Sequence, residues 1–388
     1  MLISRPSGAG RRRASPKNRH RPRRSIIIHP DFWRERRVLV TGHTGFKGAW
    51  LCAWLQLLGA HVTGYALPAA TNPSLYLAAR VGRGMRSVEG DVRNLDQLAR
   101  AVEEARPEVV LHLAAQPIVR QSYSDPVGTF STNVLGTVHL LEAVRRYGET
   151  RAVVVVTSDK CYENREWYWS YREKSSLGGR DPYSASKACA ELVTRAYRES
   201  FFEPGQRTFV ATARAGNVIG GGDWADDRLV PDTIRALIEG RPVELRYPNA
   251  IRPWQHVLDP LAGYLQLAER LHEDGEPYAE SWNFSPREDD ARAVGWLVER
   301  LQSAWGVAPS WQPQEGPRPH EHIYLKLDSS KARALLDWRP RLEVAEAVDW
   351  IVDWYRAFYA GADARELVDA QLARFTSAAE AGAERVTA

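Results

Sequence analysis

The stretch that most constrains this chain is RRVLVTGHTGFKG, residues 36–48. A short apolar run enters a turn carrying Gly42, Gly45 and Gly48. The stretch FKGAWLCAWLQLL (46–58) then runs at helical length until Gly59. Glycine lets such a turn tighten and lets the backbone approach another group closely. A glycine triplet alone is a weak signal; at the first strand-to-helix junction of an alternating pattern it is a strong one. The alternation continues. HVTGYAL (61–67) reads as a strand, 73–81 as a short helix and MRSVEGDVR (85–93) as a strand ending in Asp91. A helix over 94–105, a strand EVVLHLAA (108–115) and a long amphipathic helix over 126–147 follow. AVVVV (152–156) reads as a strand covered on both faces, 183–203 as a helix, and TFVATARAGNVIGGGDW (208–224) as a strand entering a glycine-rich turn. Strands and helices at this pitch predict an α/β fold with a doubly wound parallel sheet.

Past residue 225 the texture changes to short strands, small helices and prolines. This predicts a smaller mixed α/β lobe at the carboxy-terminal end. The expected division is a basic disordered tail over 1–28, a nucleotide-binding half over 29–224, a substrate lobe over 225–360 interleaved with it, and a closing helix and tail over 361–388. The formal charge of +4 is carried by that tail, which holds nine Arg or Lys and no acid. Without those nine charges the remainder stands at about −5, which removes electrostatic support for a nucleic-acid role of the body. No apolar run approaches the roughly 20 residues that span a membrane. Three scattered cysteines, Cys52, Cys161 and Cys189, suggest neither a disulfide framework nor a zinc site, which fits a cytoplasmic protein. Only seven lysines stand against 45 arginines, and Lys47, Lys160 and Lys187 fall inside the motifs. Lysine has a readily shifted pKa that arginine lacks.

Three motifs carry chemistry. The glycine turn suits a dinucleotide pyrophosphate at a helix amino terminus. No acid stands between residues 61 and 75 to grip a ribose, and no Arg pair marks a 2′-phosphate, so this motif does not separate NAD from NADP. Tyr183-Ser-Ala-Ser-Lys187 puts a phenol and an ammonium on one helical face; the ammonium is expected to lower the phenol pKa and make Tyr183 a base. Thr157-Ser158-Asp159-Lys160 ends the valine strand in a hydroxyl, a carboxylate and an amine, where an open α/β sheet binds its ligand.

Together with GDVR (90–93), HLAAQ (112–116) and TNVLGT (132–137), these motifs resemble the extended short-chain dehydrogenase/reductase family. More narrowly, GHTGFKGAWL, TSDKCYEN, GGRDPYSASKACAEL, RAGNVIGGGDWADDRLVPD and IRPWQHVLDPLAGYL are similar to the CDP-glucose 4,6-dehydratases, over about Phe32 to Trp338. The resemblance implies a Rossmann-type sheet, NAD as cofactor, a nucleotide-sugar substrate, no metal, and a homodimer formed through helices 126–147 and 183–203 as a four-helix bundle. It implies that Tyr183 takes the proton from the sugar O4, Ser158 steadies that oxygen, Lys187 supports Tyr183, Lys160 removes the C5 proton and Asp159 protonates the departing C6 hydroxyl. Related dTDP-glucose dehydratases carry Asp-Glu where this chain has Asp159-Lys160. The cofactor is expected against Gly42, Thr44, Gly45, Phe46, Gly48, Asp91, Ala114, Ala115, Asn133, Tyr183 and Lys187. The substrate is expected against Gln116, Asn217, Arg228 and Arg252. Trp224 and Trp254 read as packing, and His43 has no derivable role. A 4-epimerase would share Tyr183 and Lys187 without needing an acid–base pair. A non-catalytic NAD(P)-binding regulator would typically lack the Tyr or the Lys.

Overall fold

The computed structural model describes residues 28–202, 205, 207–314 and 323–387. The expected basic tail lies outside them apart from Ile28. Seven parallel strands form the main sheet: β1 (Arg37–Thr41), β2 (His61–Ala66), β3 (Arg86–Glu89), β4 (Val109–His112), β5 (Ala152–Val156), β6 (Phe209–Arg214) and β7 (Ser281–Asn283). Their spatial order is β7-β6-β5-β4-β1-β2-β3. The order reverses between β1 and β4, which opens a crevice at the carboxyl ends of the strands. β4 and β5 are buried at every position, as strands covered on both faces must be. The edge strand β3 is mostly exposed.

The helix after the glycine turn, α1 (Phe46–Leu57), is buried continuously from Gly48 to Leu55. A helix that is apolar all round needs cover all round. The sheet covers one side, and the closing helix packs on the other, with Trp54 edge-on to Phe375. Other large helices include α2 (Leu95–Ala105), α3 (Gly136–Tyr147), α4 (Pro182–Phe201), α5 (Leu258–Glu273), α6 (Val344–Tyr359) and α7 (Ala364–Thr387).

Two expectations change in detail. The helix read over 126–147 runs from Pro126 but passes through a π-helical turn at Ser131–Leu135 before α3. Such turns are rare and cluster at functional sites. The strand expected to end in Asp91 stops at Glu89, leaving Asp91 in the turn beyond it. Past residue 224 the chain twice returns to the main sheet. α5 packs behind β5 and β6, and β7 pairs with β6 through Ser281–Thr212, Trp282–Ala213 and Asn283–Arg214.

Candidate active site

The carboxyl ends of β1 to β6 open into one cleft of about 780 Å³. At its β1 end lies the glycine turn. Gly42 has a φ of +75°, and a Cβ there would stand 2.7 Å from the Ala114 nitrogen. A Cβ on Gly48 would stand 2.1 Å from the Gly42 oxygen, whereas one on Gly45 meets only that oxygen at 3.4 Å and otherwise points into open space. Gly42 and Gly48 are therefore demanded by packing, and Gly45 keeps the mouth of the turn clear. It also caps α1 at its amino terminus, where unpaired N–H groups and the helix dipole favour a pyrophosphate. The residues present thus fit a dinucleotide. Thr44 donates to the Leu67 carbonyl at 2.8 Å and closes the turn against the end of β2. There Ala66, Leu67, Pro68 and Ala70 line the cleft with neither carboxylate nor guanidinium. Phe46, Asp91, Ala114 and Ala115 also line it. Asp91 is engaged by Arg93, whose guanidinium and backbone N–H hold its carboxyl below the usual range.

At the β5 end, Ser158, Asp159, Lys160, Tyr183, Lys187 and Asn217 all face the same cleft. Ser158 Oγ donates to Asp159 Oδ1 at 2.9 Å and accepts from the Lys160 N–H at 3.3 Å. Asn217 Nδ2 reaches Asp159 Oδ2 at 3.3 Å; Asn217 holds a left-handed φ of 45° to do so. Asp181 caps the start of α4 by accepting from the Ser184 N–H, which aims the first turns of that helix, and so Tyr183 and Lys187, at the end of β5. Lys187 Nζ donates to the Val156 carbonyl at 3.5 Å.

The electrostatics correct one expectation. Burial pushes Tyr183 up to about 12; its interaction with the Ser158 hydroxyl and the Arg228 charge pull the other way, without overcoming it. Burial also lowers Lys187, to about 8, against the pull of Cys161 and Glu191. The expected lowering of the phenol is not seen: desolvation, which penalises the charged form of both groups, dominates.

Gln116 and Asn133 are not among the side chains that line the cleft. Gln116 donates its amide to Thr129 at 2.8 Å and accepts from the Ile118 N–H. Asn133 accepts from the Gln116 N–H and donates to the Gln116 carbonyl and to Ser186 Oγ. It braces the end of β4 against α4 from the π-helical turn, and Thr132 beside it reaches the cleft instead. Arg228 and Arg252 do line the cleft. Arg228 is held by Asp223 at 2.8 Å, and Arg252 donates to the Ile251 carbonyl at 3.0 Å. Trp224 packs among Trp354, Tyr355 and Phe358. Trp254, read as packing, also borders the cleft.

Some features had no role in the sequence. Lys47 lines the cleft and donates to the buried Tyr264 hydroxyl at 3.1 Å. Burial, with Lys187 and Arg228 nearby, lowers it to about 7. Its signal was the persistence of Lys in an Arg-rich chain. Arg120 and Asp227 close an ion pair across the mouth at 2.7 Å. His43 turns away from the cleft, against Tyr76 and Ser87, and burial lowers it to about 4; it is a neutral packing residue. Among the described residues no group of His, Cys, Asp or Glu is arranged to hold a metal.

A family model described as GDP-mannose 4,6 dehydratase matches residues 39–351. The CDP-glucose 4,6-dehydratase of Salmonella typhimurium is 51% identical over 341 residues, 87% of this chain and 95% of that protein. The dTDP-glucose 4,6-dehydratase of Streptomyces antibioticus is 31% identical over 271 residues, 69% of this chain and 76% of that protein. Among solved structures, the dTDP-glucose 4,6-dehydratase of Streptomyces venezuelae with NAD bound aligns with a TM-score of 0.70 at 25% identity, covering 83% of this chain and 98% of that one. With the sheet order, the glycine cradle and the Tyr183–Lys187 helix on one cleft, these matches show that the chain belongs to the GDP-mannose 4,6 dehydratase family.

Proposed function

We propose that the protein is a lyase that removes water from CDP-glucose to give CDP-4-keto-6-deoxyglucose, with NAD as a cofactor that ends each cycle as it began. The observation that carries this reading is the Asp159–Lys160 pair at the end of β5, sharing one cleft with Tyr183 and Lys187. A 4-epimerase needs the Tyr and the Lys but no acid–base pair for C5 and C6. The CDP-glucose enzyme at 51% identity and the NAD in the Streptomyces venezuelae structure support the substrate and the cofactor.

The roles are those the family resemblance implies, and the placement of these side chains on one cleft supports them. Tyr183 Oη, ionised in the reacting complex beside the Lys187 ammonium, takes the proton from the sugar O4, and Ser158 Oγ holds the same oxygen. The chemistry the cofactor supplies is hydride acceptance from C4 and hydride return to C6. The 4-ketone makes the C5 proton acidic, and Lys160 Nζ removes it. Asp159 gives its proton to the C6 hydroxyl as the C6–O bond breaks and water leaves. Lys160 returns its proton to C5. Ser158 and Asn217, both bonded to Asp159, orient its carboxyl; Lys187 supports Tyr183. Gly42, Thr44, Gly45, Phe46, Gly48, Asp91, Ala114 and Ala115 form the cofactor side of the cleft. Asn217, Arg228 and Arg252 form the substrate side, the two arginines suited to diphosphate oxygens. The chain from 29 to 224 supplies mainly the first side, and 225–360 contributes to the second.

A homodimer through the helices at 126–147 and α4 is supported by Val127, Phe130, Leu135 and Leu192, large apolar side chains left exposed on those helices. A cytoplasmic setting is supported by three free cysteines and, among the described residues, by the lack of a helix able to cross a membrane.

The test is a donor panel in deuterated solvent. CDP-, dTDP-, UDP- and GDP-glucose are each incubated with the purified protein and NAD, and mass spectrometry follows loss of one water and deuterium entry at C5. Water loss from CDP-glucose alone is the expected result. Water loss from another donor would correct the nucleotide, and an isomer without water loss would replace the reading by an epimerase.

A further inference from the structure

Beneath the catalytic strand end lies a buried ion pair that the mechanism does not use. Glu191 sits on α4, one turn past Lys187 and two past Tyr183, and so on the same face. Its carboxylate is 2% exposed as a residue and accepts four side-chain hydrogen bonds. Thr157 Oγ1, from the residue between β5 and Ser158, donates to Oε1. Thr212 Oγ1 and Arg214 Nη2, both from β6, donate to Oε2 at 2.7 Å. Ser281 Oγ, from β7, donates to Oε2 at 3.2 Å. Arg214 extends the network to Tyr162 Oη at 2.7 Å and the Glu173 carbonyl at 3.0 Å. One carboxylate therefore ties the helix of Tyr183 and Lys187 to three strands, the first carrying Ser158, Asp159 and Lys160 on its next residues.

We propose that Glu191 is a positioning residue for the dehydration, registering the Tyr183–Lys187 helix against the Ser158–Lys160 strand end through its bonds to Thr157, Thr212, Arg214 and Ser281. This rests on the catalytic reading given above and goes beyond it. A buried carboxylate persists only if paired and hydrogen-bonded. Burial would raise Glu191, but the Arg214 guanidinium and the bonds from Arg214, Thr157 and Thr212 outweigh it and hold the group below the usual range. Lys187 is also faced by Cys161, which like Glu191 favours its charged form, and by Lys47 and His112. Of these, Glu191 is the acid fixed on the same helix. Without its charge, Lys187 gives up its proton at lower pH.

The experiment compares wild type, Glu191→Gln, and the double variant Glu191→Gln/Arg214→Met, which removes both buried charges and leaves neither unpaired. Each is followed by thermal melting, by kcat and KM for CDP-glucose, and by the pH profile of kcat. The expected result is a kcat about tenfold lower or more at neutral pH with KM within about twofold, and an alkaline limb displaced to lower pH, in the double variant as in the single one. Where Glu191→Gln does not fold, the double variant decides. A folded variant whose kcat and alkaline limb match wild type overturns the proposal, as does a kcat lowered equally at every pH, which is the mark of a purely structural role. Wild-type turnover measured alongside separates the two readings: its absence would overturn the dehydratase reading itself.

Discussion

The ends of β1 and β5 flank β4 on the same cleft, yet they are built from opposite materials. The β1 end is made of backbone. Gly42 and Gly48 pack so closely that a Cβ on either would collide with main-chain atoms, and Gly45 leaves its mouth clear. The β5 end is made of side chains: a hydroxyl, a carboxylate and an amine, with a phenol and a second amine brought alongside by α4. At the first end a site is shaped by what is left out, and at the second by which charges are put in. The first is a steric problem with a nearly unique solution. The second is an electrostatic problem whose solution depends on everything within several ångströms.

Three perturbations sharpen that contrast, and a fourth bounds it. The largest effect is expected from Lys160→Met. A positioned base contributes about 10²- to 10⁴-fold, so water loss should fall by about a thousandfold while NAD binding and the melting temperature stay unchanged. Near-normal turnover would remove Lys160 as the C5 base. Next, the glycine turn should split by position. Gly48→Ala, whose Cβ would meet the Gly42 oxygen at 2.1 Å, should cost about 2 kcal/mol or more of stability. Gly45→Ala, whose Cβ meets that oxygen at 3.4 Å, should melt normally and weaken NAD binding by about tenfold. Melting curves paired with NAD titrations check both, and equal melting temperatures would break the contrast. The third effect is a pH dependence. Lys187, lowered to about 8, is charged below that pH and neutral above it, so kcat should fall as pH rises through about 8. A kcat flat from pH 7 to 9 would show that this charge is not needed. The smallest effect belongs to Gln116→Ala: its side chain is committed to Thr129 and Ile118, so KM should stay within about twofold. A larger rise would restore Gln116 to the substrate.

The same contrast explains what could be read from the sequence. The alternation of strands and helices, the glycine turn and the residues at the end of β5 were legible because each is a local pattern: period, spacing, or a polar cluster closing an apolar run. The protonation behaviour of Tyr183 was not, because its burial depends on elements brought from distant parts of the chain. The turning inward of Gln116 and Asn133 was not either. Both lie in stretches that border the cleft, and their side-chain partners, Thr129 and Ser186 among them, come from other elements. Lys47 was visible as an oddity of composition, but its partner Tyr264 stands 217 positions away. His43 shows the reverse case. It lies inside the most legible motif, yet only the neighbours Tyr76 and Ser87 reveal it as filling.

The seventh strand has a consequence for how this protein is made. β7 comes from the half of the chain that follows the glycine-rich turn, yet it completes the cofactor sheet beside β6, and α5 covers β5 and β6 from behind. A ribosome that has released only the first 224 residues has therefore delivered a sheet with an open edge and an uncovered face, and unpaired edges of this kind invite association with other chains. Glu191 in such a fragment would lack its donor from Ser281. The nascent chain must wait for residue 283 before the sheet has its full complement of strands. Cutting the gene at the apparent boundary near 224 would then yield an aggregating fragment instead of a free-standing cofactor domain.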